Sequence, residues 1–211
     1  MMQVKQQISD VRRTLGDRRL EAGEAKVTTM SQVYDTDAED LWEAVTSAER
    51  IPRWFMPITG DLREGGHYQL EGNAGGTISR CERPHGFAAT WEYNGEVSWI
   101  EVRLTAEGDG RTRLELEHVA HVAAEFWDKF GPSATGLGWD LGMLGLAGHL
   151  IDPGSAIRPE DGPAWMMSPE GQEFMRLSVD AWARVAVAAG EDPDQARAAA
   201  DRTFAAYTGA A

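Results

Sequence analysis

Apolar residues recur along this chain in several patterns, and each pattern predicts a different element. Val4, Ile8, Val11 and Leu15 stand among charged residues at helical spacing, which predicts an amphipathic helix over residues 3 to 15, closed by Gly16. After a polar link, AKVTTMSQVY (25–34) has strand character. DAEDLWEAVTSA (37–48) opens on an aspartate cap and turns helical through Leu41, Trp42 and Val45. The cluster ERIPRWFMPITGD, with its two prolines, predicts one short helical turn leading into an edge strand.

From Gly66 to His121 the punctuation is that of an antiparallel meander, and the turns set its register. Asn94-Gly95 is the type I′ hairpin signal; a two-residue loop there puts Trp91 opposite Ser98, Ala89 opposite Ile100 and Phe87 opposite Val102. The other face carries Ala88, Thr90, Glu92, Trp99, Glu101 and Arg103, a solvated surface with one tryptophan. Gly108-Asp109-Gly110, as a three-residue turn with Gly110 left-handed, pairs Leu104 with Leu114, Val102 with Leu116 and Ile100 with His118, so His118 points inward. Pro84-His85-Gly86 as a loop pairs Phe87 with Arg83, Ala89 with Cys81 and Trp91 with Ser79, which turns Cys81 and Ser79 inward too.

The stretch GNAGGTISRCE (72–82) lacks GxxxxGK[ST] and GxGxxG, and a strand rather than a helix follows it. Its glycines therefore predict a hairpin loop with positive φ, not a phosphate cradle. A four-residue connection from Asn73 to Gly76 pairs Leu70 with Ser79 and Tyr68 with Cys81. A three-residue connection would instead turn His67, Gln69 and Glu71 inward, so the first is preferred because it buries the apolar pair.

Beyond the meander, EFWDKF (125–130) predicts a short cap, and Pro132-Ser133 opens a helix from about 134 to 150 that is apolar nearly all round. It contains Gly136, Gly138, Gly142, Gly145 and Gly148, and each interior glycine costs about 1 kcal/mol against alanine. Either a neighbouring backbone packs very closely there or a cavity is kept open. Ser168-Pro169 caps a further amphipathic helix through Phe174, Leu177, Ala181, Trp182 and Val185 to Gly190, and a last helix runs from Pro193 to Tyr207.

Composition narrows the function classes. The 211 residues are 42% hydrophobic, enough for one good core, and the formal charge of −14 would repel phosphate backbones and anionic lipid heads. Nucleic acid and membrane are thus excluded as partners. The apolar run Leu137 to Ile151 contains Asp140 and His149 and is shorter than the about 20 residues a bilayer requires. Cys81 is the single cysteine, which rules out an intrachain disulfide; with no apolar signal core at MMQVKQQISDVRR, the expected location is cytoplasmic.

A strand, a helix, a curled meander and one long apolar helix follow the order of an α+β helix-grip domain, in which the sheet folds around the last helix. The segment from DAEDLWEAV to FAATWEY resembles the START-like SRPBCC superfamily, in the branch similar to the C-terminal domain of the activator of the heat-shock protein 90 ATPase. The most specific pieces are ERIPRWF (49–55), Gly65-Gly66 and Thr90-Trp91-Glu92; the segment GPSATGLGWDLGMLGLAGHL and the ending DRTFAAYTG resemble actinobacterial members. The resemblance implies a hydrophobic cavity between sheet and long helix. It also implies three units: residues 1–24 as helix and linker, 25–152 as the helix-grip domain, and 153–211 as a helical extension.

Within that expectation, Trp54, Phe55, Met56, Trp91, Trp139 and Met143 surround the cavity, and His118, Ser98, Ile100 and Cys81 face it from the sheet. A Cys81–His118 nucleophile pair fails on distance, since three strand steps separate the two by about 14 Å. His118 and His121 point to opposite faces, so no metal set forms; His67, His85 and His149 fall at loop or surface positions, and the acidic clusters 160–161 and 191–194 are solvated charge. The leading expectation is a protein that binds a lipid-like, polyketide-like or aromatic small molecule, with no cofactor and with a homodimer left open. Catalysis is not required for it. The alternatives are a cyclase or dehydratase in which His118 moves a proton, and a chaperone-regulator-like interaction protein.

Overall fold

A computed structural model of the protein describes residues 4–152, 154 and 157–209. Residues 1–3, 153, 155, 156, 210 and 211, which belong to the expected terminal units, lie outside the described residues. Eight strands form one antiparallel sheet: β1 (Arg12–Leu20), β2 (Gly23–Tyr34), β3 (Ile58–Gly60), β4 (His67–Leu70), β5 (Gly75–Glu82), β6 (Gly86–Tyr93), β7 (Glu96–Gly108) and β8 (Arg111–Ala120). Their order is β1-β2-β8-β7-β6-β5-β4-β3, a curled sheet that stays open between β1 and β3. The helices are α1 (Val4–Asp10), α2 (Ala38–Thr46), α3 (Ala124–Phe130), α4 (Ser133–Ile151), α5 (Gly162–Met166), α6 (Pro169–Ala188) and α7 (Pro193–Thr208).

Turn chemistry explains most of the register. Asn94 and Gly95 both adopt positive φ, 50° and 81°, and Trp91, Ala89 and Phe87 pair with Ser98, Ile100 and Val102 as the hairpin signal requires. At the next turn Gly108, Asp109 and Gly110 are all left-handed and a bulge interrupts β7 between Ala106 and Gly108, yet Leu104, Val102 and Ile100 meet Leu114, Leu116 and His118 as expected.

Two registers differ from the sequence reading. Between β5 and β6, Cys81 pairs with Phe87 and Ile78 with Ala89, because a bulge at Ser79 inserts one residue into β5. The bulge lets Ile78 and Cys81 both face the core and leaves Ser79 exposed, where regular alternation would have turned Ser79 inward. Between β4 and β5 the turn is tighter than a four-residue loop: Tyr68 pairs with Gly76 and Gln69 with Gly75. Tyr68 and Leu70 are buried nonetheless, as the apolar pattern demands. Of the glycines in that stretch only Gly72 has positive φ; Gly76 lies in β5 against the Thr90 carbonyl, with no room for a Cβ.

The N-terminus departs furthest. Helix α1 stops at Asp10, and residues 12–20 pair with residues 23–31 of β2, with Gly16 inside the strand. Helical periodicity through Leu15 is overridden because β2 needs a partner on its outer edge and because alternation carries Arg13 inward to a buried carboxylate. Gln7 of α1 is also buried, in a reciprocal amide pair with Gln32 of β2 at 2.9 and 3.0 Å.

Helix α4 separates two apolar clusters. Met143, Leu146 and Ala147 join the core inside the curled sheet, and Leu137 and Leu144 join one with Phe174, Met175 and Val179 of α6. The glycines of α4 serve both sides: Gly136 abuts the indole of Trp182, Gly145 abuts the Trp54 carbonyl, and a Cβ at either would collide. Gly142 has more space, since a Cβ there would reach Phe55 at an ordinary 3.4 Å.

Candidate functional site

Inside the sheet the packing is incomplete. A hollow of about 150 Å³ lies between the concave face of the sheet, α4, and the segment that runs from the end of α2 through the turn at Ile51–Arg53. The sheet contributes Tyr68, Leu70, Ile78, Cys81, Ala89, Trp91 and Ile100 among others; α4 contributes Trp139, Gly142, Met143 and Leu146; the α2 segment contributes Val45, Thr46, Ile51, Trp54 and Phe55. Four of these rings pack together. Trp91 and Trp139 are 4.8 Å apart between centroids, Trp54 and Phe55 5.4 Å, and Phe55 stacks on Trp139 at 6.3 Å.

Six of the nine residues expected at the ligand line this hollow: Trp91, Ile100, Cys81, Trp54, Trp139 and Met143. Met56 packs against the core without reaching the wall, since the turn at 51–53 presents Trp54 and Phe55 instead. His118 and Ser98 are also absent from the wall, because the Trp139 indole stands between the imidazole and the hollow. Its Nε1–H donates to His118 Nδ1 at 3.0 Å. That fixes the tautomer: the proton sits on Nε2 and is given to Ser98 Oγ at 2.8 Å, and Ser98 in turn donates to the Trp91 carbonyl at 3.0 Å. Burial lowers the His118 pKa to about 4, which keeps the ring neutral as the chain of bonds requires.

Four further polar atoms on the wall are also turned to the protein. Trp54 Nε1–H donates to the Ala44 carbonyl, Thr46 to the Trp42 carbonyl and Tyr68 to the Thr90 carbonyl, while the Met143 sulfur accepts from Tyr34. Burial and the nearby Glu64 carboxylate raise the Cys81 pKa, so the thiol stays protonated and is no nucleophile at neutral pH. Among the described residues no group of His, Cys, Asp and Glu could hold a metal ion, and no helix is long and apolar enough to cross a membrane.

His149, expected at the surface, is buried: its Nε2 faces the Arg50 guanidinium at 3.4 Å, and Arg50 also binds Asp40. A second buried cluster, unforeseen as such, lies on the opposite side of α4. Asp140 accepts from Arg13 of β1 (2.7 Å from Nη2), from Ser178 and from Trp182 of α6, while Arg13 Nη1 donates to the Ile8 and Val11 carbonyls. The signal available in the sequence was the lone acidic residue in a helix apolar on every side, since a buried charge requires a partner.

An open antiparallel sheet curled around one long helix, with an apolar hollow between them, defines a START-like helix-grip protein. Residues 35–150 match the family model described as "Activator of Hsp90 ATPase homolog 1-like protein", and the chain belongs to that family. Among solved structures it is similar to CalU16 from Micromonospora echinospora. In the crystal structure the two are 36% identical, covering 83% of this chain and 97% of CalU16 with a TM-score of 0.63; for the solution structure the values are 37%, 86%, 97% and 0.67. EF2215 from Enterococcus faecalis shares the fold at 11% identity over 90% of this chain and 96% of its own (TM-score 0.61). DynU16, a protein of the dynemicin biosynthetic locus, does so at 17% identity over 60% of this chain and 47% of its own (TM-score 0.54). The comparison with curated proteins gives no match.

Proposed function

We propose that this protein binds a small hydrophobic molecule in the hollow between the sheet and α4, as a cytoplasmic carrier or receptor rather than a catalyst. The observation that carries this reading is the wall itself: three tryptophans, Phe55 and aliphatic side chains around unfilled space between the sheet and the long helix. Native cores fill such space to crystal-like density, so a gap of this size with aromatic walls calls for an occupant. An engineered apolar cavity of about 150 Å³ in another protein takes up benzene, which sets the scale for one or two rings. CalU16 and DynU16 share the scaffold, and the dynemicin biosynthetic locus that houses DynU16 fits small-molecule duty for this type of protein.

The ligand contacts in this reading are Trp54, Trp91, Ile100, Cys81, Trp139 and Met143, and His118 supports Trp139 from behind. The test is native mass spectrometry of the freshly purified protein together with a titration by naphthalene, read by tryptophan fluorescence. Retention of an apolar molecule or saturable quenching is the expected result, and Ala89→Leu, which fills the wall at a buried position, should abolish it. Unchanged binding in that variant would sink the assignment to this hollow.

A further inference from the structure

The polar atoms of the wall carry a second message, which rests on the ligand-binding reading above. Thr46, Tyr68, Trp54 and Trp139 all donate their side-chain hydrogens to protein acceptors, and Met143 receives one. Cys81 and Trp91 complete the set of wall side chains with a polar atom, and neither carries charge. No carboxylate, ammonium, guanidinium or imidazole reaches the wall among the described residues. Trp139 is the special case. Its N–H is held by His118, whose other nitrogen is held by Ser98, whose hydroxyl ends on the backbone of Trp91, the neighbouring wall ring. This relay runs behind the wall and ties the Trp139 indole to the backbone that carries Trp91.

We propose that the hollow selects uncharged, ring-bearing ligands over ionised ones of the same shape, and that His118 is the positioning residue that maintains this selectivity by holding the Trp139 N–H out of the hollow. A carboxylate entering the hollow would lose its water and meet no counter-charge, whereas a bare aromatic ring loses nothing. Severing the relay would release one donor and the orientation of the Trp139 ring. His118→Gln can keep both bonds, because an amide oxygen accepts from the indole while its NH2 donates to Ser98. His118→Leu can keep neither.

The experiment compares naphthalene with 2-naphthoate by fluorescence titration at pH 7.5 in the wild type, His118→Gln and His118→Leu, each checked for folding by circular dichroism. The wild type and the Gln variant should prefer naphthalene by at least about ten-fold, the equivalent of 1.4 kcal/mol, and the Leu variant should narrow that preference to about three-fold or less. Equal or tighter binding of 2-naphthoate by the wild type overturns the selectivity while leaving ligand binding intact. A wild-type ratio preserved in the Leu variant, or lost equally in the Gln variant, overturns the role of His118. Binding of neither probe defeats the ligand-binding reading, and this inference with it.

Discussion

On one side of α4, Leu137, Leu144 and Asp140 meet Phe174, Ser178 and Trp182 of α6, and both carboxylate oxygens of Asp140 are bonded. On the other side Trp139, Gly142, Met143 and Leu146 face a hollow in which the polar atoms that make bonds point away. The same helix thus carries an ion-paired carboxylate where it is buried against α6 and no charge where it lines the hollow. Strong, directional bonds around Asp140 fix β1, α4 and α6 relative to one another; with the helix anchored from behind, the sheet side can leave space unfilled without collapsing. The difference indicates that the C-terminal helices are a brace for the site rather than part of it.

The largest expected effect is on the braced side. Arg13→Met should cost about 3–5 kcal/mol in urea unfolding, because it leaves the Asp140 carboxylate buried without its partner. Arg13→Met with Asp140→Leu should recover most of that loss. A small effect of the single substitution would mean that the ion pair does not brace the helix.

The next effect belongs to the other side and depends on pH. The His118 pKa in the folded protein, about 4, lies below the ordinary 6.5, so folding favours the neutral ring. Stability from this group is fully present above about pH 6.5 and is lost as pH falls toward 4, up to about 3 kcal/mol in total. His149, whose pKa burial and Arg50 also lower, adds a contribution of the same sign. His118→Gln should flatten much of this slope, measured as urea midpoints between pH 4 and 7; an unchanged slope would contradict the buried neutral imidazole.

How much of this contrast could be read in the sequence depends on the range of the forces involved. Local chemistry was legible: Asn94-Gly95 and Gly108-Asp109-Gly110 fixed the central registers, Asp37 and Ser168 capped α2 and α6, and alternation turned Tyr68 and His118 inward. The family resemblance implied a cavity, and of the residues expected around it Trp54, Phe55, Trp91, Trp139 and Met143 line the hollow between sheet and α4. Features set by distant partners were not legible. Strand β1 follows from the free edge of β2 and from Asp140, 127 positions after Arg13, and the bulge at Ser79 follows from the need to bury both Ile78 and Cys81. His118 was placed correctly on its face, but nothing in the sequence shows that Trp139 would stand in front of it.

Two smaller effects sharpen the comparison. Ala181→Leu, on the filled side, should cost about 1–3 kcal/mol by overpacking, whereas Ala89→Leu, at the hollow, should be neutral or stabilise by about 1 kcal/mol. Gly142→Ala should likewise be neutral or gain up to about 1 kcal/mol in helix propensity, while Gly136→Ala, against the Trp182 ring, should be destabilising. Thermal denaturation of the four variants side by side reads both contrasts.

The most direct measurement is diffraction from crystals held under xenon pressure, because xenon enters apolar cavities and leaves close-packed cores alone. Density for xenon among Phe55, Trp91, Trp139 and Met143, with none between α4 and α6, is the predicted result. Xenon absent from the sheet side, or bound instead beside Leu137 and Trp182, would contradict the account.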